Sequence, residues 1–129
     1  MLYKILVVDD EAPVRDLLGD LLRKEDCLPV SCGSGEEALE ILKKETFDVV
    51  LLDIKLPGMT GLEVLKEIRQ KYANLPVVMI TGFGFEEELI YKSKQLGCCG
   101  YIGKNIPMVK IIGTFKQFVK EAKTKDKTP

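Results

Sequence analysis

The sequence predicts an α/β fold: a parallel sheet with helices on both faces. Three observations predict it. Strand-like and helix-like stretches alternate five times, the links between them are short, and the apolar runs are brief, rich in Val and Ile and mostly continuous. Continuous runs, unlike alternating ones, mark strands covered on both faces. Strand-helix alternation then implies parallel strands, and right-handed crossovers limit how they can be ordered.

The first strand is "KILVV" at 4–8, followed at once by Asp9, Asp10 and Glu11. Pro13 suits the first turn of a helix whose Val14, Leu17, Leu18, Leu21 and Leu22 recur at i, i+3, i+4, i+7 and i+8. "LPVSC" at 28–32 is a weaker strand, and Ser34 with Glu37 fits a capping box opening a helix over 35–45. "FDVVLL" at 47–52 leads into Asp53, and Thr60 with Glu63 fits a second capping box for a helix over 61–72. "PVVMI" at 76–80 leads into Thr81-Gly82 and a helix over 85–96. "CGYI" at 99–102 runs to Lys104, and a last helix over 107–122 carries Val109, Ile112, Phe115 and Val119 on one side. With no internal repeat and no second core, one domain is expected over 1–122. Residues 123–129 read as a polar, lysine-rich tail, either a frayed helix end or the start of a linker.

Composition narrows the function. The 129 residues suffice for a core, and 46% apolar with 30% charged residues is an ordinary soluble mixture. A net charge of −1 gives no basic excess to expect nucleic-acid binding. No apolar run approaches the roughly 20 residues that span a bilayer. "MLYKILVVDD" lacks a signal-peptide layout, so a cytoplasmic location is expected. Cys27, Cys32, Cys98 and Cys99 form no zinc-type CxxC pair and read as buried free thiols. The absence of histidine excludes Ser-His-Asp catalysis, His-ligated zinc and a phosphohistidine on this chain.

In an open parallel sheet, ligands bind beyond the carboxyl ends of the strands. Those ends carry Asp9, Asp10 and Glu11, then Asp53, Thr81 and Lys104. Three aspartates brought together repel one another unless a cation intervenes. With one lysine their formal charge is −2, which a divalent ion neutralises, and an oxygen-only ligand set points to Mg2+ rather than zinc. Such a site suits phosphoryl oxygens, and Asp53, alone on its strand end, is placed as a nucleophile. Singly, each residue has a plainer reading: an Asp after a strand as a turn former or cap, Lys104 as a solvated charge. The joint pattern carries the weight.

The stretches "ILVVDDE", "DVVLLDIKLPGMTGLEVLKEIR", "PVVMITGFG" and "LGCCGYIGK" resemble, in order and to about residue 120, the receiver domain of two-component response regulators. The resemblance implies a flavodoxin-like three-layer sandwich with a five-stranded parallel sheet in order 2-1-3-4-5 and five helices. It implies that Asp53 is the phosphoacceptor, Asp10 a direct Mg2+ (or Mn2+) ligand, Asp9 a ligand through water and the main-chain carbonyl of Lys55 a third protein ligand. It makes Lys104 the phosphate-binding lysine, Thr81 the hydroxyl that moves to the phosphoryl group and Tyr101 the switch aromatic. The partners implied are a sensor histidine kinase or phosphotransfer protein and a downstream effector domain or target. The readout would be the surface of helix 4, strand 5 and helix 5, on a monomer or a weak phosphorylation-dependent dimer. No direct contact with nucleic acid or membrane is implied. The domain would signal rather than turn over a substrate, promoting its own Mg2+-dependent phosphorylation and dephosphorylation.

The sequence departs from the family where Asn105 follows Lys104 in place of the usual proline. Cys98, Cys99 and Gly100 replace the usual acidic pair before the switch aromatic, which weakens support for a dimer through that face. Lys55 and Phe83 occupy positions that tune dephosphorylation in this family. Three other readings compete. A haloacid-dehalogenase-like phosphatase would need a DxD motif after strand one, which "DDEAP" lacks. A nucleotide or flavin binder would rest on the GxG of "TGFGFEE", without its third glycine. A docking receiver that never uses its site would leave all the principal site residues idle. The chain reads equally as a complete single-domain regulator or as a receiver from a longer protein.

Overall fold

The computed structural model describes residues 3–82, 87–104 and 106–126, with side chains through residue 122. Phe83, Gly84 and Phe85, the expected start of the fourth helix, Asn105, and residues 127–129 of the tail lie outside the described residues. The elements alternate as β1 (Lys4–Val8), α1 (Ala12–Lys24), β2 (Leu28–Cys32), α2 (Gly35–Lys44), β3 (Val49–Asp53), α3 (Gly61–Lys71), β4 (Val77–Thr81), α4 (Glu87–Gln95), β5 (Gly100–Gly103) and α5 (Met108–Asp126). The strands form one parallel sheet in the order β2-β1-β3-β4-β5. This is the flavodoxin-like arrangement, with five helices on its two faces. Among the described residues no helix is long and apolar enough to cross a membrane.

Burial follows directly from strand position. Central β3 and β4 are buried at every residue, whereas β2 is buried only at Cys32. As an edge strand β2 also tolerates Pro29, whose missing N–H would break a ladder inside the sheet. The period-two rule sorts the core into two halves. Ile5, Val7, Val49 and Leu51 face α1 and α5, where Leu18, Leu22, Ile111 and Phe115 meet them. Leu6, Val8, Val50 and Leu52 face the opposite layer, built from Ala38, Leu42, Val64, Leu65 and Ile68.

Cys27 and Cys32 are buried free thiols, and burial pushes the Cys32 thiol up to about 11. Cys98 is half-buried; Cys99, expected to be buried, is exposed because it precedes edge strand β5. The last helix runs past its expected end at 122 to Asp126. Its Lys, Glu and Ala residues are good helix formers, so the polar stretch extends the helix before any tail begins.

The helix starts hold the loops around the strand exits. Ser34 accepts a hydrogen bond from Glu37 N (3.2 Å), and Thr60 and Glu63 form the full reciprocal box. Gly61 N donates to Ile54 O at 2.8 Å, which presses the first turn of α3 against the exit of β3. A Cβ at Gly61 would lie 2.2 Å from Asp53 O and 2.7 Å from Ile54 Cα, both backbone atoms that cannot swing aside. A Cβ at Gly113, inside α5, would meet nothing within 4 Å.

The same substitution should therefore have opposite signs at these two glycines. Gly61→Ala is expected to destabilise by about 2–3 kcal/mol through overpacking. Gly113→Ala should stabilise by about 0.5–1 kcal/mol through helix propensity. Urea unfolding of both variants beside the parent checks the pair.

Candidate functional site

Four polar or charged side chains are buried among the described residues: Asp9, Asp53, Thr81 and Ser93. Ser93 is accounted for locally, since its Oγ donates to Leu89 O at 2.8 Å. The other three lie at the carboxyl ends of β1, β3 and β4, the three central strands. Burying a carboxylate costs several kcal/mol unless an opposite charge meets it, so two of them at neighbouring strand ends require a cation.

Lys104 supplies it. It follows β5, and its N–H donates to Thr81 O at 2.6 Å, which carries the sheet pairing one step past the strand. From there the ammonium donates to Asp53 Oδ2 at 2.9 Å and lies 2.6 Å from Asp9 Oδ2. The short contact with Asp9 is a charge-assisted one between a buried carboxylate and the ammonium. Burial would lower the Lys104 pKa, but the carboxylates of Asp9 and Asp53 outweigh it and hold it above the ordinary lysine value. At Asp53 burial prevails: it pushes the carboxyl up, against the lowering pull of Lys104.

The backbone orients both acids. Asp53 Oδ1 accepts from Lys55 N at 3.2 Å, and Asp9 Oδ1 from Glu11 N at 2.9 Å. Arg15, one turn into α1, donates to Asp9 O at 2.7 Å. Asp10 is exposed, yet a carboxylate oxygen from each of Asp9, Asp10 and Asp53 falls within one 4.8 Å cluster. Oxygen-only donors and a net formal charge of −2 with Lys104 together fit a hard divalent cation.

Thr81 Oγ1 is buried and has no hydrogen-bond partner among the described residues. Thr81 pairs with Gly103 in the ladder, and Met79 with Tyr101, so Thr81 and Tyr101 lie on the same face of the sheet. Tyr101 is half-buried and packs against the core half that contains Met79.

The structure thus brings Asp9, Asp10, Asp53 and Lys104 into contact range, with Thr81 beside them and Tyr101 one pair of residues further back. It adds Glu11, whose Oε2 lies 3.8 Å from Lys104 Nζ. The sequence places Glu11 at the same strand end, directly after the acid pair, but assigns it no role. Arg15 and Gly61 were also missed, because both act through backbone atoms that a side-chain pattern does not reveal.

Comparison with known proteins agrees with this architecture. The family model described as the response regulator receiver domain matches residues 5–116. Sporulation initiation phosphotransferase F of Bacillus subtilis is 37% identical over 116 residues, covering 90% of this chain and 93% of the relative. The crystal structure of NtrX from Brucella abortus superposes with a TM-score of 0.90 at 32% identity, covering 98% of this chain. This chain spans 29% of that one. The response regulator TrrA from Thermotoga maritima, in complex with Mg2+-BeF, gives a TM-score of 0.79 at 32% identity over 90% of this chain and 98% of its own.

The raised Asp53 pKa has a sign that stability can read. The fold holds the Asp53 proton more tightly than the unfolded chain does, so that contribution is full at acid pH and is lost as pH rises through the folded pKa. Metal-free Asp53→Asn should therefore be more stable than the parent at neutral pH. The difference should close as pH falls below the ordinary carboxylate range, as urea titrations at the two pH values would show.

Proposed function

The chain belongs to the response regulator receiver domain family of two-component signalling, and from that premise we propose that Asp53 accepts a phosphoryl group from the phosphohistidine of a sensor histidine kinase or phosphotransfer protein. The observation that carries this reading is the Lys104 ammonium set between the buried carboxylates of Asp9 and Asp53. A purely structural pair would need one acid; this cluster has a second buried acid and an exposed third.

Asp9, Asp10, Asp53 and the main-chain carbonyl of Lys55 would hold Mg2+ or Mn2+. Asp10 is exposed and not paired with Lys104, which supports it as the direct ligand, whereas Asp9, engaged with Lys104, suits a role through water. The ion supplies neutralisation of the charge that gathers on the phosphoryl oxygens. The protein's own part is transfer and readout. An Asp53 oxygen bonds to phosphorus as the donor's phosphorus–nitrogen bond breaks, and that electron pair stays with the donor imidazole. Lys104 then pairs with phosphoryl oxygens in place of the Asp53 carboxylate.

Thr81 Oγ1, without a partner among the described residues, is available to donate to a phosphoryl oxygen. That new bond would draw in the end of β4 and bias Tyr101 on the same sheet face. The equilibrium it shifts is a pre-existing one, read out on the surface of α4, β5 and α5. The domain, whose last helix runs to Asp126, would signal from the cytoplasm as a monomer or weak phosphorylation-dependent dimer to an effector domain or target. It would promote its own phosphorylation and dephosphorylation without turning over a free substrate.

Mg2+-dependent labelling with a small acyl phosphate tests the assignment, with molecular size measured in both states. The parent should be labelled once and Asp53→Asn not at all, while Lys104→Ala should be labelled about 100-fold more slowly, the scale of removing one charge-stabilising group. Equal stable labelling of parent and Asp53→Asn would overturn the role of Asp53. A parent unlabelled by any donor or metal would leave a docking module.

A further inference from the structure

Glu11 is an acid that neither the fold nor the site above requires. It occupies the N-cap position of α1, yet its side chain makes no capping bond. Its N–H donates to Asp9 Oδ1, which ties its backbone to the site, and its carboxylate turns to Lys104, with Oε2 3.8 Å from Nζ. Glu11 is 59% exposed whereas Asp9 beneath it is 1% exposed, so Glu11 stands at the mouth. Its charge takes the formal total of the site from −2 to −3, at an opening that must admit both a divalent cation and an anionic phosphoryl donor.

Those two visitors feel Glu11 with opposite signs. We propose that Glu11 is a specificity-determining residue that draws the divalent cation in and opposes free dianionic phosphodonors. A small acyl phosphate meets that field with no compensating contact. A phosphohistidine held on a docked protein has its interface to offset the same repulsion, so Glu11 tilts the site toward protein donors. The inference rests on the phosphoacceptor reading. In the reaction with a small donor, an Asp53 oxygen bonds to phosphorus, the donor's phosphorus–oxygen bond breaks, and the electron pair leaves on the carboxylate released.

The test compares the parent, Glu11→Gln and Glu11→Asp. Titration calorimetry reads Mg2+ affinity, and acetyl phosphate labelling at saturating Mg2+ reads the donor step. Glu11→Gln should bind Mg2+ about three-fold more weakly and be labelled about three-fold faster, the size expected for one charge several ångströms away across water. Both differences should shrink at high salt, and Glu11→Asp should stay near the parent. A merely structural role would weaken both steps together. Equal Mg2+ affinity in Glu11→Gln and the parent overturns the role of Glu11, as does labelling that is unchanged or slower while the parent is labelled at Asp53. A parent not labelled at Asp53 overturns the phosphoacceptor reading and, with it, the donor half of this inference, while the Mg2+ comparison still decides the cation half.

Discussion

One ammonium, held between two buried carboxylates, reconciles this sheet with its own charges. Asp9 and Asp53 stand at the ends of β1 and β3, two of the three central strands, where water cannot solvate them well. Lys104 arrives from edge strand β5 and pairs with both. Parallel topology makes this possible, because every strand delivers its last residues to the same end of the sheet. The order β2-β1-β3-β4-β5 then sets the three acid- or hydroxyl-bearing ends side by side, with the lysine one strand away. An isolated pair of this kind is weak support for stability, since desolvation offsets attraction. On the proposed function, its use is that it leaves the acids partly satisfied, able to take a second cation.

Much of the fold was legible because its constraints are local. Continuous apolar runs identified β1, β3 and β4, and those strands proved to be the buried centre. The signal at β2 was weak for a physical reason: an edge strand is half solvated and needs neither unbroken hydrophobicity nor every N–H. Strand order was different, since alternation alone allows several orders and the choice came from the family resemblance. The site was legible as a set, because the rule that ligands meet the strand ends converts sequence positions into neighbours. Glu11 and Gly61 escaped because their meaning depends on partners met only after folding: an ammonium 93 residues away for one, a carbonyl of the preceding strand for the other.

The close seat of α3 on β3 joins chemistry to mechanics. Gly61 lets the helix backbone touch the carbonyl of Asp53, the proposed phosphoacceptor. On the far side of the same segment, Glu36 accepts from Met59 N at 3.3 Å and so ties α2 to the loop between them. The carboxylate of Asp53 is thus mounted on backbone braced from two helices, which favours accurate placement over freedom.

The opposite holds where the signal would leave the site. β5 has four residues, and the sheet pairs it on one side only, with β4. Held by one ladder where the other strands that feed the site have two, β5 is the least anchored of them, while Lys104 at its tip reaches the deepest charges. In mechanical terms the molecule is a stiff frame with one light lever: a displacement at the acids costs least when β5 and its flanking helices yield. Amides there should be the first of the sheet to exchange with solvent, so the place that answers the site is also the place closest to local opening.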